Sequence, residues 1–128
     1  MSKSLPKLKS DLQNVFNEYI RLRDKDKPCI SCNKPVRYKQ AGHYFPVGNF
    51  DRLRYDENNC HGECIKCNNF DDSHLIGYGR NLPNRIGEDR YQKLLADAVE
   101  YRKNGNRWSR TDLMDLLTFY KQQIKDLS

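Results

Sequence analysis

Two Cys-x-x-Cys pairs, Cys29-Ile30-Ser31-Cys32 and Cys64-Ile65-Lys66-Cys67, stand 31 residues apart. Two residues between thiols let both sulfurs reach one ion from a tight knuckle, and two knuckles complete a closed tetrahedral zinc site. A closed site leaves no position for water, so such a zinc is structural. Its binding energy holds together a region too rich in loops to fold unaided. A redox pair of the thioredoxin kind would present a single Cys-x-x-Cys in a βαβ context, and none appears. Cys60, the fifth cysteine, reads as a small buried apolar side chain.

Between and after the knuckles stand Ala41-Gly42-His43-Tyr44, Asn58-Asn59-Cys60-His61-Gly62-Glu63-Cys64 and Cys67-Asn68. Phosphodiester hydrolysis needs an activated water, charge neutralisation on the phosphate and help for the leaving oxygen. A histidine, with a pKa of about 6.5, accepts a proton at neutral pH, and His43 is the candidate general base. A hard cation on oxygen ligands stabilises the phosphate and the departing 3′ oxygen. The carboxamide oxygen of Asn68 suits Mg²⁺. Asp72, one helical turn beyond Asn68, shares its face. His61, on a predicted strand, and His74 complete the candidate ligands, although six residues from Asn68 is poor spacing on a regular helix. Each has a plainer reading: a strand-end residue for His43, packing or phosphate contact for His61, a solvated surface residue for Asp72 and His74. Asn59 cannot trade protons near neutral pH and reads as a hairpin clamp.

These residues need elements to position them. Leu8, Leu12, Val15, Phe16, Tyr19 and Ile20 repeat at helical spacing, which predicts a helix over 8–24 behind a loose basic tail at 1–7. The run Arg23-Asp24-Lys25-Asp26-Lys27-Pro28 ends it. Within a metal-bound core at 29–76, short strands are predicted at Val36-Arg37-Tyr38, His43-Tyr44-Phe45 and Cys60–Glu63. A short helix then runs from Cys67 to about His74, broken by Gly77 and Gly79. Residues 88–127 carry two further helices. The first, Glu88–Lys103, places Tyr91, Leu94, Leu95, Ala98 and Val99 on one side and stops at Asn104-Gly105. The second has an N-cap in Ser109-Arg110-Thr111-Asp112 and a stripe of Leu113, Leu116, Leu117, Tyr120, Ile124 and Leu127. The expectation is one α+β domain over 1–128, a zinc-stapled ββα-metal core flanked by helices.

The segments Phe16–Asp24, Cys29–Cys32, Ala41–Tyr44, Leu53-Arg54-Tyr55, His61–Cys64 and Arg85-Ile86-Gly87-Glu88 together resemble the NinG/Rap family of phage recombination endonucleases, within the His-metal-finger (HNH) class. The resemblance covers about residues 12–95. In that class a histidine ends the first strand of a hairpin and an asparagine steadies the hairpin. A further Asn or His, nine residues on, opens a helix. His43, Asn59 and Asn68 fit these places. Many members carry an Asp or His just before the base, where this chain has Gly42. The resemblance implies Mg²⁺- or Mn²⁺-dependent cleavage of branched DNA, such as recombination intermediates, with 5′-phosphate and 3′-hydroxyl products.

The charge balance fits a polyanionic partner. Lys plus Arg number 23 against 17 Asp plus Glu, a net charge of +6. Arg37, Lys39, Arg52 and Arg54 lie beside the predicted hairpin, and Lys66 lies near the helix start, where backbone N–H groups also favour phosphate. Arg80, Arg85 and Arg107 are further candidates, with Trp108 read as helix packing. Phosphate contacts fix position without reading sequence, so selectivity for DNA structure is expected rather than a strict site. No apolar run spans a bilayer and no secretory segment is visible, so an intracellular location is expected, and the resemblance to phage proteins implies the cytoplasm of a bacterial host. Two alternatives share the cysteines and the charge: a non-catalytic zinc-dependent nucleic-acid-binding module, and a non-specific HNH nicking nuclease. A RING or LIM interaction module usually holds two ions and lacks an Ala-Gly-His-Tyr insert. Symmetric resolution of a four-way junction needs two active sites, which a homodimer supplies.

Overall fold

The computed structural model describes residues 3–70, 73–104 and 107–128. Its elements are α1 (Leu5–Arg23), β1 (Gln40–His43), β2 (Cys60–Glu63), α2 (His74–Ile86), α3 (Glu88–Asn104) and α4 (Arg110–Leu127), with a 3₁₀ turn at Asp51–Leu53 and a π-helical turn at Lys66–Phe70. The architecture is α+β: helix-rich, with one small antiparallel sheet.

Helix α1 begins three residues before the expected 8–24, inside the segment read as a tail. Ser4 caps it by accepting the Lys7 N–H at 3.3 Å, and Pro6 sits in the first turn, where a missing N–H costs nothing. Leu8, Leu12, Phe16 and Ile20 form its buried face. With Tyr55, Cys60, Leu113 and Tyr120 they make a first core, in which α1 packs on α4. Ile30, Phe50, Leu53, Tyr78, Leu82, Leu94 and Ala98 make a second core, in which α2 packs on α3. The stripes of the last two helices thus mostly serve the chain's own interior, with Val99 of α3 and Leu127 at the end of α4 the exceptions, both exposed.

The hairpin lies between the two cores. Its register pairs Gln40 with Glu63, Ala41 with Gly62, Gly42 with His61 and His43 with Cys60. Side chains alternate across a strand. Ala41, His43, Cys60 and Gly62 therefore share the face toward α1, and Gln40, Gly42, His61 and Glu63 share the other, where the Tyr78 hydroxyl of α2 donates to the Gly42 carbonyl at 2.7 Å. The expected strand at Val36–Tyr38 does not form, and Tyr38 is 73% exposed. The first strand lies at Gln40–His43 rather than at His43–Phe45, because Cys60–Glu63 is only four residues long and its register ends at His43.

The segment after the second knuckle differs most from expectation. Among the described residues the regular helix expected from Cys67 to His74 is not seen, residues 71 and 72 lying outside them. The chain makes a π-helical turn at Lys66–Phe70, and α2 starts at His74 and passes through Gly77 and Gly79. These glycines are contact points rather than breakers. A Cβ on Gly77 would lie 2.1 Å from the Ser31 carbonyl oxygen, and one on Gly79 would lie 2.7 Å from the Tyr44 hydroxyl. Their bare backbone lets α2 press against the first knuckle and the hairpin.

Candidate metal centre and hairpin site

The thiol sulfurs of Cys29, Cys32, Cys64 and Cys67 lie within 4.8 Å of one another, and those of Cys32 and Cys64 are 4.0 Å apart. Four thiolates around one tetrahedral zinc need about that spacing, so the four cysteines fit a metal ion such as zinc. The first knuckle turns at Asn33, whose φ of 60° is a left-handed conformation that asparagine tolerates. Asn33 N–H bonds the Cys29 carbonyl at 2.8 Å, and Cys29 N–H bonds that of Lys34 at 3.0 Å. Backbone N–H groups of Cys32 and Cys64 point at Cys29 Sγ at 3.5 and 3.3 Å, so both knuckles brace the Cys29 sulfur. Cys60 is fully buried in the first core, away from this cluster.

His43 ends β1 with its ring half-buried. Nε2 is 2.9 Å from the Arg54 carbonyl oxygen, which can only accept, so Nε2 carries the proton and Nδ1 keeps its lone pair. Nδ1 is 3.9 Å from Cys60 Sγ. Burial pushes the His43 pKa below its ordinary 6.5, against the opposing pull of the Arg54 carbonyl. The ring is therefore neutral at pH 7 with one basic nitrogen. Asn59 is fully buried. Its Oδ1 accepts the Phe45 N–H at 2.9 Å, and its Nδ2 donates to the Phe45 and Leu53 carbonyls, each at 3.1 Å. It ties the loop between the strands to the base of the hairpin.

The opposite face holds a group that the sequence reading passed over. Glu63 is 0% exposed. Its Oε2 accepts from Ser31 Oγ of the first knuckle and from His74 Nδ1, the latter at 2.8 Å. Its Oε1 has no hydrogen-bond partner among the described residues. The Asn68 side chain approaches the same place: Nδ2 donates to Gln40 Oε1 at 2.7 Å, which turns Oδ1 toward Gly42. His74 meets Glu63 from the start of α2, while Asn68 lies in the π-helical turn. The visible signal for Glu63 was a carboxylate on a predicted strand directly before a knuckle. Its importance depends on the pairing register, which sequence spacing does not supply.

Several expected contacts take other roles. His61 is not available as a ligand. Arg23 Nη2 donates to its Nδ1 at 3.1 Å, and its Nε2 donates to the Asn58 carbonyl at 3.0 Å. Burial, aided by Arg23, pushes its pKa down to about 3. Asp72 lies outside the described residues. Lys39 is buried, its ammonium donating to the Lys25 and Val36 carbonyls at 3.1 Å each, and cannot reach a phosphate as it stands. Arg54 is held inside the protein by Asp51 and Gln13, both at 2.9 Å. Arg52 lies over the Trp108 ring at 4.1 Å, and Trp108 donates to the Asp51 carbonyl at 3.0 Å. Arg85 donates to the Pro28 carbonyl at 3.1 Å. Arg37, Lys66, Arg80 and Arg107 are exposed.

Asp24 was also missed. It is fully buried at the end of α1 and accepts from Arg23 Nε at 2.8 Å, Arg23 Nη2 at 2.9 Å and the Gly62 N–H at 2.8 Å. Burial alone would raise its pKa; the Arg23 guanidinium and the Gly62 N–H reverse this and hold it at about 2.

The fold and site define a helix-rich α+β protein with a four-cysteine cluster, able to hold a metal ion, beside a short hairpin. A family model described as "Bacteriophage Lambda NinG protein" matches residues 1–128, and the chain belongs to the NinG family. It is 36% identical over 116 residues to the protein ninG of Escherichia phage 933W, a match covering 90% of this chain and 55% of that one. It is 34% identical over 116 residues to the ninG proteins of Escherichia phage lambda, covering 90% and 54%, and of Salmonella phage P22, covering 90% and 55%. The chain spans about half the length of the curated relatives it matches. No solved structure matches it. Among the described residues no helix is long and apolar enough to cross a membrane.

Proposed function

We propose that this chain is a metal-dependent DNA endonuclease with a zinc-stapled ββα-metal core, acting on branched duplexes. The observation that carries the reading is His43: a half-buried, neutral histidine at a strand end, its tautomer fixed by the Arg54 carbonyl so that Nδ1 is the basic atom. A base of this kind serves hydrolysis at neutral pH. Asn59 supports the reading by clamping the loop that carries Arg54 to the hairpin. The four cysteines fit a structural zinc, which would fix the hairpin against α2.

In the proposed reaction His43 Nδ1 takes a proton from water as the water oxygen attacks phosphorus. The P–O3′ bond breaks and O3′ takes a proton from solvent, leaving a 5′-phosphate and a 3′-hydroxyl, while His43 returns its proton to solvent. A bound Mg²⁺ or Mn²⁺ supplies charge neutralisation on the phosphate and on the leaving oxygen. The donors on this chain that fit such an ion are oxygens, with Asn68 Oδ1 among them. Exposed Lys66 and Arg80 flank the cysteine cluster and suit phosphate contact without sequence reading.

A non-catalytic binding module is favoured by one observation: His43 and Asn68 address opposite faces of the hairpin. A cleavage assay separates the two readings. Zinc-loaded protein is incubated with linear and four-way-branched duplexes in Mg²⁺, in Mn²⁺ and in EDTA, with zinc content checked throughout. Metal-dependent nicking of the branched substrate that is lost in His43→Ala is expected. Binding without cleavage in any divalent metal refutes the enzyme.

A further inference from the structure

Two oxygens with nothing to share converge beneath Gly42. A Cβ built on Gly42 would lie 2.1 Å from Glu63 Oε1 and 3.1 Å from Asn68 Oδ1. One is a fully buried carboxylate oxygen with no partner among the described residues; the other is a carboxamide oxygen turned the same way by Gln40. Both are acceptors. A buried acceptor without a donor costs about 1–3 kcal/mol, more for a charged group, and facing another acceptor deepens the penalty. The second carboxylate oxygen is engaged by Ser31 and His74, so the unmet demand is confined to Oε1. A small cation satisfies both oxygens at once. Oxygen donors of this kind select hard ions such as Mg²⁺ and Mn²⁺ over zinc or copper.

We infer that Glu63 Oε1 and Asn68 Oδ1 form a divalent-cation site, for which Gly42 leaves the space. His74 and Ser31 are positioning residues that hold the Glu63 carboxylate in the orientation the ion requires. Gly42 is a requirement of this arrangement, because any side chain there collides with the carboxylate. The inference rests on the nuclease reading for the use of the ion, and on geometry alone for its location.

The test uses the zinc-loaded full chain and Mn²⁺ as the probe. Titration followed by electron paramagnetic resonance counts bound Mn²⁺, with zinc content measured in parallel. The wild type takes up one Mn²⁺ per chain. Glu63→Gln weakens this at least ~10-fold, while zinc stays bound. Wild-type Mn²⁺ affinity in Glu63→Gln overturns the site. Should Glu63→Gln fail to fold, paramagnetic broadening of backbone amide signals in the wild type decides. Broadening centred on Gly42, Glu63 and Asn68 supports the site, and broadening centred elsewhere overturns it. A swap tests the space itself: Gly42→Asp abolishes Mn²⁺ uptake, and adding Glu63→Ala restores it by moving a carboxylate into the same volume. Failure of the swap to restore uptake overturns the claim that the two positions compete for one place. The two readings also fail separately. A wild type that binds Mn²⁺ here yet cuts no DNA refutes the nuclease alone, and a nuclease unaffected by Glu63→Gln refutes this site alone.

Discussion

His43 is neutral at physiological pH because burial disfavours the imidazolium, and two outcomes follow from that sign. Under the proposed reading the acid limb of the pH–rate profile falls below 6.5, the ordinary value for histidine; an acid limb at or above 6.5 removes His43 as the base. His43→Ala should lower kcat at least ~100-fold, the usual contribution of a positioned base, with zinc content and Tm little changed. Asp24 carries a different prediction. Its folded pKa is depressed to about 2 from 3.8, so its contribution to stability is present above 3.8 and drains as pH falls toward 2. Asp24→Ala strands Arg23 and the Gly62 N–H, and should cost about 3 kcal/mol in urea denaturation at pH 7. A loss under about 1 kcal/mol would show that water replaces the carboxylate. The contrast between these residues explains what was legible. The cysteine cluster was readable because it follows from residue type and local spacing. Asp24 meets Gly62 across 38 residues, and Glu63 meets Ser31 across 32. Neither pairing has a local signature, and a charged run after a helix looks like a stop whether or not one of its carboxylates is buried.

Among the elements, periodicity sufficed wherever one face is buried against one core. The buried residues of α1, α3 and α4 fall mostly on the predicted stripes, and β2 occupies the predicted residues. It failed where an element's purpose is close approach. Gly77 and Gly79 read as breakers, since glycine is a poor helix former, yet packing of α2 on the first knuckle outweighs propensity. Gly77→Ala should therefore destabilise the protein by about 1–3 kcal/mol, the range for overpacking, and hasten zinc loss to a chelator. Gly48→Ala, with nothing within 4 Å of the new Cβ, serves as the control and should do neither. Equal zinc retention in the two variants would mean that α2 does not brace the knuckle. The π-helical turn at Lys66–Phe70 was invisible for a related reason: it has no period of its own.

On the scale of the whole molecule, two helical cores grip one hairpin, and the cysteine cluster joins the first knuckle to the second beside it. The backbone bond from Ile30 N–H to the Gly62 carbonyl, 3.1 Å, crosses between them. Zinc removal should therefore loosen the molecule unevenly. Hydrogen exchange at the Ile30, Cys32 and Cys64 amides is expected to rise on chelation well before that at Leu12, Phe16 and Ile20, which α4 covers. Uniform acceleration would mean that the two cores melt as one.

Ser31 has a consequence of its own. It belongs to the first knuckle, yet its hydroxyl ends on the Glu63 carboxylate. If zinc shapes the knuckle and the knuckle aims the carboxylate, the two ions are thermodynamically linked, and such linkage is mutual. Mn²⁺ at the hairpin should then slow the escape of zinc to a chelator, and Ser31→Ala should weaken Mn²⁺ uptake and erase that protection while zinc still binds. A chain wired this way would report the zinc supply of its surroundings through an ion that is not zinc.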